Sequence, residues 1–149
     1  MKQKLIAGVV AVVTGAAAAT VFAQAKPDVL VKQRQAAMTL IGKYFGPLGA
    51  MAQGKAPYNA EVVTRNAGYL QSLSRMPWDG FDASTSGVQS KALPAVYSDH
   101  AKFSRYAEDM QRAIDNLAAV KAGDEAAFKA AVGAVGKTCG GCHDSFRAK

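Results

Sequence analysis

The sequence has few of the residues that build dense cross-links or large metal clusters. It has only two cysteines, two histidines and one tryptophan in 149 residues. No internal repeat or low-complexity tract follows the first two dozen residues, and no stretch sustains the apolar and polar alternation of a half-buried strand. Half of the residues are hydrophobic, which is enough to bury one core of ordinary size. We therefore expect one domain without a β-sheet.

Long runs of like charge are also missing. The formal net charge is +7, of which Lys2 and Lys4 supply two, so +5 remains in a chain that begins at Gln24. The basic residues are scattered singly among aspartates and glutamates. This distribution is typical of a solvated surface rather than of a nucleic-acid footprint, so we expect no nucleic-acid partner.

The first stretch of the chain has the features of a secretory signal. Lys2 and Lys4 precede an uncharged run, rich in alanine and valine, that ends in small residues near Ala23. We predict a signal peptide over residues 1–23, cleaved after Ala23, and a domain over residues 24–149. The run is weakly hydrophobic and marginal in length for a membrane span. The mature protein is therefore expected outside the cytoplasm, without membrane insertion.

Apolar residues at three- and four-residue steps predict four helices. They cover about residues 28–53, 59–75, 98–120 and 124 to the end, with Asn59 and Asp124 as N-caps. Gly46 and Pro47 are expected to kink or interrupt the first helix. Residues 78–94 have no clear period and are expected to form a long loop, which is often functional.

The fourth helix is the most informative. Six of its residues follow one another at steps of four, three, four, three and four, and therefore lie on one face: Phe128, Val132, Val135, Cys139, Cys142 and Phe146. Both cysteines thus fall on the face that should turn toward the other helices. The sequence predicts an all-α protein, an antiparallel four-helix bundle with its site between helices.

The sequence Cys139-Gly140-Gly141-Cys142-His143 matches the C-x-x-C-H pattern of c-type haem attachment. Two thiols one helical turn apart can each form a thioether with a vinyl group of one porphyrin, while the adjacent imidazole reaches the iron. We predict one covalent haem c per chain with His143 as axial ligand. The two glycines are expected to leave room for the macrocycle.

Three other interpretations of the two cysteines remain open. A thioredoxin-type redox pair expects a strand before the motif and a helix after it, but the motif lies near the end of the chain. A zinc site would want four ligands, and only His100 is an obvious further candidate. An exposed or capping role is expected for that histidine. A simple disulfide would leave the role of His143 unexplained.

The motif lies near the C-terminus, in the run from Cys139 to Arg147. In this respect the sequence resembles the class II cytochromes c, and most closely the cytochrome c′ family. The resemblance extends over the mature chain through the segments Lys26-Pro27, Arg34-Gln35, Gly54-Lys-Ala-Pro57-Tyr58, Met76-Pro77-Trp78 and Lys91-Ala-Leu-Pro94. It implies a four-helix bundle with a five-coordinate haem iron. Members of the family are commonly homodimers that pack through the first two helices, so a homodimer is expected.

The resemblance also implies roles for individual residues. Arg34 and Gln35 are expected to contact the haem and its propionates, and Ser90 in the loop to do likewise. Arg147 is expected beside His143. Its spacing, one helical turn later, allows this position, and equally allows that of a surface arginine near a helix C-terminus.

Met38 corresponds to the distal residue of the first helix in this resemblance. If it only packs over the iron, the distal face offers no hydrogen-bond donor, which disfavours O₂ and admits NO or CO. The expected function is then a periplasmic haem protein that binds these gases, undergoes redox change and protects against NO. If the Met38 thioether is a sixth ligand, the protein is a low-spin electron carrier with an unknown periplasmic redox partner. No second histidine or arginine is placed for acid–base work on peroxide, so we do not expect an enzyme.

Overall fold

The computed structural model describes residues 25–149, so the predicted signal peptide and its cleavage site lie outside the described residues. The helices are α1 (Pro27–Ala52), α2 (Ala60–Leu73), α3 (Ala95–Ser98), α4 (His100–Ala118) and α5 (Glu125–Phe146). Between 25 and 149 there is no strand, only one isolated backbone bridge between Ala92 and Arg147. None of the helices in this part of the chain combines the length and the hydropathy that crossing a bilayer requires.

Four long helices form the bundle and α3 is a single turn. The helix α1 packs on α2, α2 on α4, α4 on α5 and α5 on α1, which closes a ring of four. Because the α1–α2 and α4–α5 connections are short, consecutive helices run antiparallel. The prediction of an all-α antiparallel four-helix bundle is confirmed.

Side-chain caps start the helices where the sequence predicts them. Asn59 accepts a hydrogen bond from the Val62 N–H at 3.0 Å, and Asp124 accepts one from the Ala127 N–H at 3.0 Å. By contrast, α1 is not interrupted at Pro47 and continues for five more residues. The proline removes one backbone hydrogen bond, but fully buried Leu48 and buried Met51 keep the last turns packed in the bundle.

The predicted third helix differs in its beginning, because α4 starts at His100 with Asp99 as its N-cap. The short α3 precedes it, and the preceding loop contains two 3₁₀ turns, Trp78–Phe81 and Ala83–Thr85. His100 is exposed, and its ring nitrogen lies 3.3 Å from the Ser104 hydroxyl. This agrees with the exposed position that the sequence suggested.

Two hydrophobic clusters hold the bundle together. The larger runs along its axis and contains the fully buried side chains of Leu48, Leu70, Ile114 and Phe128. Burying a side chain of this kind contributes about 1.5–3 kcal/mol. The smaller cluster lies at the end of the bundle that holds the cysteines and is built on Val96, Phe103 and Phe146. It forms a wall of the site described next.

Candidate cofactor site

A cavity of about 390 Å³, partly open to solvent, lies between α1, α4, α5 and the segment that precedes α4. The residues that line it are mainly apolar: Arg34, Gln35, Met38, Thr39, Trp78, Phe81, Ser90, Lys91, Ala92, Val96, Phe103, Tyr106, Met110, Thr138, Cys139, Cys142, His143, Phe146 and Arg147. All eight residues that the sequence singled out are among them. Its volume is in the range of small-molecule and cofactor sites.

Cys139 and Cys142 lie one helical turn apart on α5, are half-buried, and form no disulfide with each other. Burial raises the pKa of the Cys139 thiol. Burial, with a smaller contribution from Cys139, raises the pKa of Cys142 to about 11. Both sulfurs are therefore protonated near neutral pH in this fold.

His143 lies at the edge of the cavity, where much of the residue remains accessible to solvent. Partial burial of the ring, and then the positive charge of Arg147, lower the pKa of the imidazole, while Asp144 acts in the opposite direction. The ring is thus neutral at neutral pH, which is the form that binds a metal.

Arg147 is the C-cap of α5, and the backbone around it ties the loop to the end of that helix. Its N–H donates to the His143 carbonyl at 3.1 Å. On either side, the Leu93 N–H donates to the Phe146 carbonyl at 2.9 Å and the Ala148 N–H to the Lys91 carbonyl at 2.8 Å. These bonds fix the cavity rim beside His143.

Met38 brings an apolar side chain from α1 to the cavity. It is half-buried and packs on the larger hydrophobic cluster. The hydroxyl of the next residue, Thr39, donates to the backbone carbonyl of Gln35 at 2.9 Å, so it is not available as a donor into the cavity. The Gln35 side chain is exposed at the rim.

Arg34 lies deeper on the same helix, with 3% of its surface exposed. Its guanidinium donates to the Gly80 carbonyl at 2.5 Å, the Thr85 hydroxyl at 3.1 Å and the Ser90 hydroxyl at 2.9 Å. A longer bond of 3.3 Å reaches the Tyr97 hydroxyl. The resemblance implied that Arg34 and Ser90 each contact the haem. In the structure the two side chains also contact each other.

Aromatic rings that the sequence analysis did not assign to the site form one side of the cavity. Trp78 stacks on Phe81, Phe81 packs on Phe103, and Phe103 meets Phe146 edge-on, with centroid distances of 6.1, 4.8 and 5.3 Å. Phe146 belongs to the apolar face that the sequence predicts for the fourth helix, and Phe103 is a buried residue of α4. Trp78 and Phe81 belong to an aperiodic loop, and only their size and apolarity could have indicated burial.

Neither glycine of the motif is among the residues that line the cavity, and their role in leaving room for the macrocycle stays a prediction. A Cβ on Gly141 would come within 3.0 Å of the Tyr106 ring, so this glycine allows α4 to approach α5. A Cβ on Gly140 would meet nothing within 4 Å.

The residues present fit a covalently attached haem. Two thiols one turn apart, a neutral imidazole beside them, apolar rings and a buried cation at one edge are a donor set that this group can use. Across residues 25–149, no three histidine, cysteine, aspartate or glutamate side chains come together as a metal cluster. Attachment through the motif is favoured by its two thiols and its imidazole, which line the same cavity.

Comparison with known proteins points in the same direction. The family described as Cytochrome C′ matches residues 29–147. The cytochrome c′ of Rubrivivax gelatinosus is 46% identical over 126 residues, which cover 83% of this chain and 98% of the relative. Its crystal structure superposes with a TM-score of 0.79.

Two further relatives widen the comparison. The nitric oxide complex of a cytochrome c′ variant from Alcaligenes xylosoxidans has a TM-score of 0.77 at 39% identity and covers 84% of this chain and 98% of that one. A cytochrome c-554 of Cereibacter sphaeroides is 32% identical over 124 residues, covering 80% of this chain and 93% of the relative.

Proposed function

The chain belongs to the cytochrome c′ family, and on that premise we propose that it is a periplasmic haem c protein that binds NO and CO and undergoes redox change. It carries one covalent haem whose iron is five-coordinate. The observation that carries this proposal is the convergence of Cys139, Cys142 and His143 on one cavity that Met38 lines from another helix. When bound, the haem supplies a redox-active iron with one coordination position for a gas.

The cysteines and histidine hold the group on α5. Cys139 and Cys142 form the thioethers, and the spacing of one turn lets both reach the same ring. His143 offers a neutral imidazole nitrogen to the iron, and Arg147 favours that neutral form because its charge opposes protonation. Trp78, Phe81 and Phe103, which form the aromatic wall, keep water from the face of the porphyrin.

Polar residues of α1 and the loop serve the charged edge of the haem. Three of the five N–H hydrogens of Arg34 suffice for its close contacts to Gly80, Thr85 and Ser90, so two remain for a propionate. The exposed Gln35 amide offers another donor at the rim. We therefore propose that Arg34, Gln35 and Ser90 contact the propionates.

The choice of gas follows from the side chains near Met38. A bound O₂ gains from a hydrogen-bond donor, whereas NO and CO need none. The Thr39 hydroxyl is already used within α1, and Met38 has only a weakly accepting sulfur. We therefore propose NO and CO as ligands, and protection against NO as the physiological consequence. The NO complex of the Alcaligenes xylosoxidans relative supports this choice.

A second candidate function rests on the same methionine. Because Met38 lines the cavity, its thioether could bind the iron as a sixth ligand. The protein would then be an electron carrier between periplasmic partners. In neither case do we propose an enzyme, and in both we propose export through residues 1–23 and a homodimer packed through α1 and α2.

Absorption and EPR spectroscopy of the purified holoprotein, with and without NO, separate the two candidates. The first predicts a high-spin spectrum that NO changes at stoichiometric concentration. A low-spin spectrum with a sulfur-to-iron charge-transfer band, unchanged by NO, would establish Met38 ligation instead.

A further inference from the structure

Arg34 joins α1 to the loop that forms one wall of the cavity. The residues that it contacts through its guanidinium, Gly80, Thr85 and Ser90, are 46, 51 and 56 positions away in the chain. The same group lies 4.3 Å from the centroid of the Phe81 ring. One side chain thus reaches both 3₁₀ turns and the end of the loop.

The contacts of Arg34 need the shape of a guanidinium. Its partners are a carbonyl and hydroxyls, and none of the ion pairs found within residues 25–149 involves it. Arginine presents its donors in a rigid planar fork, whereas the ammonium of lysine is a single point. A lysine at this position would keep the charge but lose the planar fork, in which one terminal nitrogen donates to Gly80 and the other to Ser90.

The backbone of the loop approaches α1 closely at the same place. A Cβ built on Gly80 would lie 2.7 Å from the Arg34 Cβ and 2.8 Å from the Leu30 carbonyl oxygen. Any larger residue would therefore push the first 3₁₀ turn away from α1. Gly87, in the same loop, has no atom within 4 Å of its added Cβ.

We propose that Arg34 is a positioning residue that latches the loop 78–90 onto α1 and thereby sets the position of the Trp78 and Phe81 wall of the haem cavity. The latch acts through Phe81, on which the guanidinium rests and against which Trp78 stacks. The role is distinct from contact with the haem itself. The inference rests on the proposed function, because the position of this wall matters only if the cavity holds haem.

Hydrogen exchange of the holoprotein tests the latch directly. The amides of Gly80, Thr85 and Val88 bond within the loop to Pro77, Asp82 and Thr85 carbonyls. In Arg34→Lys we expect these amides to exchange at least about tenfold faster, because hydrogen bonds from the guanidinium are lost. In Gly80→Ala we expect the same, because the added methyl group prevents the close packing of the loop on α1. Amides of α2 should not change. Gly87→Ala and Arg105→Lys, an exposed arginine on α4, are the matched controls.

The emission of Trp78, the only tryptophan, gives a second readout. Haem in the cavity should quench the fluorescence of the Trp78 indole, which lines it. The emission should rise severalfold in Arg34→Lys and Gly80→Ala and stay quenched in the two control variants. If Arg34→Lys folds poorly, Thr85→Val removes one acceptor and should give the same local pattern at smaller amplitude.

The proposal is overturned if loop amides in Arg34→Lys and Gly80→Ala exchange as in the wild type. It is equally overturned if exchange rises uniformly over the bundle, or if Gly87→Ala behaves like Gly80→Ala. None of these results bears on haem attachment. Colourless protein, by contrast, would contradict the proposed function and leave the exchange test of the latch intact.

Discussion

His143 and Arg147 are linked twice across the last turn of α5. The Arg147 N–H donates to the His143 carbonyl at 3.1 Å, and the Arg147 charge lowers the pKa of the His143 imidazole. The arginine thus both ends the helix and favours the neutral ring that a metal requires.

Removing this charge should raise the pKa of His143. Arg147→Gln abolishes the repulsion of the imidazolium, so the ring protonates at higher pH, but its pKa should stay below the usual value because burial is the larger cause. NMR titration in the Cys139→Ser/Cys142→Ser chain, which cannot attach haem, measures this. Asp144→Asn should move the pKa in the opposite direction. A fall in Arg147→Gln would contradict the assignment.

Substitutions at Met38 should distinguish packing from ligation. If the side chain only packs, Met38→Leu keeps the volume and leaves the spectrum of the holoprotein unchanged. Met38→Ala opens the cavity and should speed CO association, measured by flash photolysis, by at least about tenfold. Met110→Leu, at a buried lining position on α4, is the control. A low-spin to high-spin change in Met38→Leu would show ligation.

The thiols should react slowly in folded protein that lacks haem. Burial raises the pKa of Cys139, and Cys142 titrates at about 11, so little thiolate exists at pH 8. Since the thiolate is the nucleophile, alkylation by iodoacetamide should be much slower in the folded chain than in urea. The rate should also keep rising well beyond pH 9. Equal rates in the two states would show that burial does not control these thiols.

Phe128 should be a large contributor to stability. The ring is fully buried and packs edge-on against Tyr58 with centroids 5.4 Å apart. Phe128→Ala should lower the free energy of unfolding by about 3–5 kcal/mol, seen as a lower urea midpoint with an unchanged slope. Val29→Ala, at an exposed position, should change it by no more than about 0.5 kcal/mol. A loss below about 1 kcal/mol at Phe128 would contradict the packing.

Features that depend on local spacing were predictable from the sequence. The inward face of α5 follows from steps of three and four residues, and the structure buries Phe128, Val132 and Val135 on it. The caps Asn59 and Asp124 each bond to an N–H three residues later, which is local chemistry as well. Such features need no knowledge of distant partners.

Features that depend on distant pairs were not predictable. Arg34 was assigned to the haem by resemblance alone, and its contact with Gly80 joins residues 46 positions apart. The loop that contains Trp78 and Phe81 has no hydrophobic period, so its place in the cavity is decided by packing. The continuation of α1 through Pro47 likewise depends on tertiary burial of the last turns, which outweighs local propensity.

Intact mass spectrometry of the mature chain, purified from a host with a haem-maturation system and extracted with acidified organic solvent, tests the central claim most directly. The account predicts a chain heavier by one haem, with the added mass absent from the Cys139→Ser/Cys142→Ser variant. A colourless protein at its unmodified mass would contradict it.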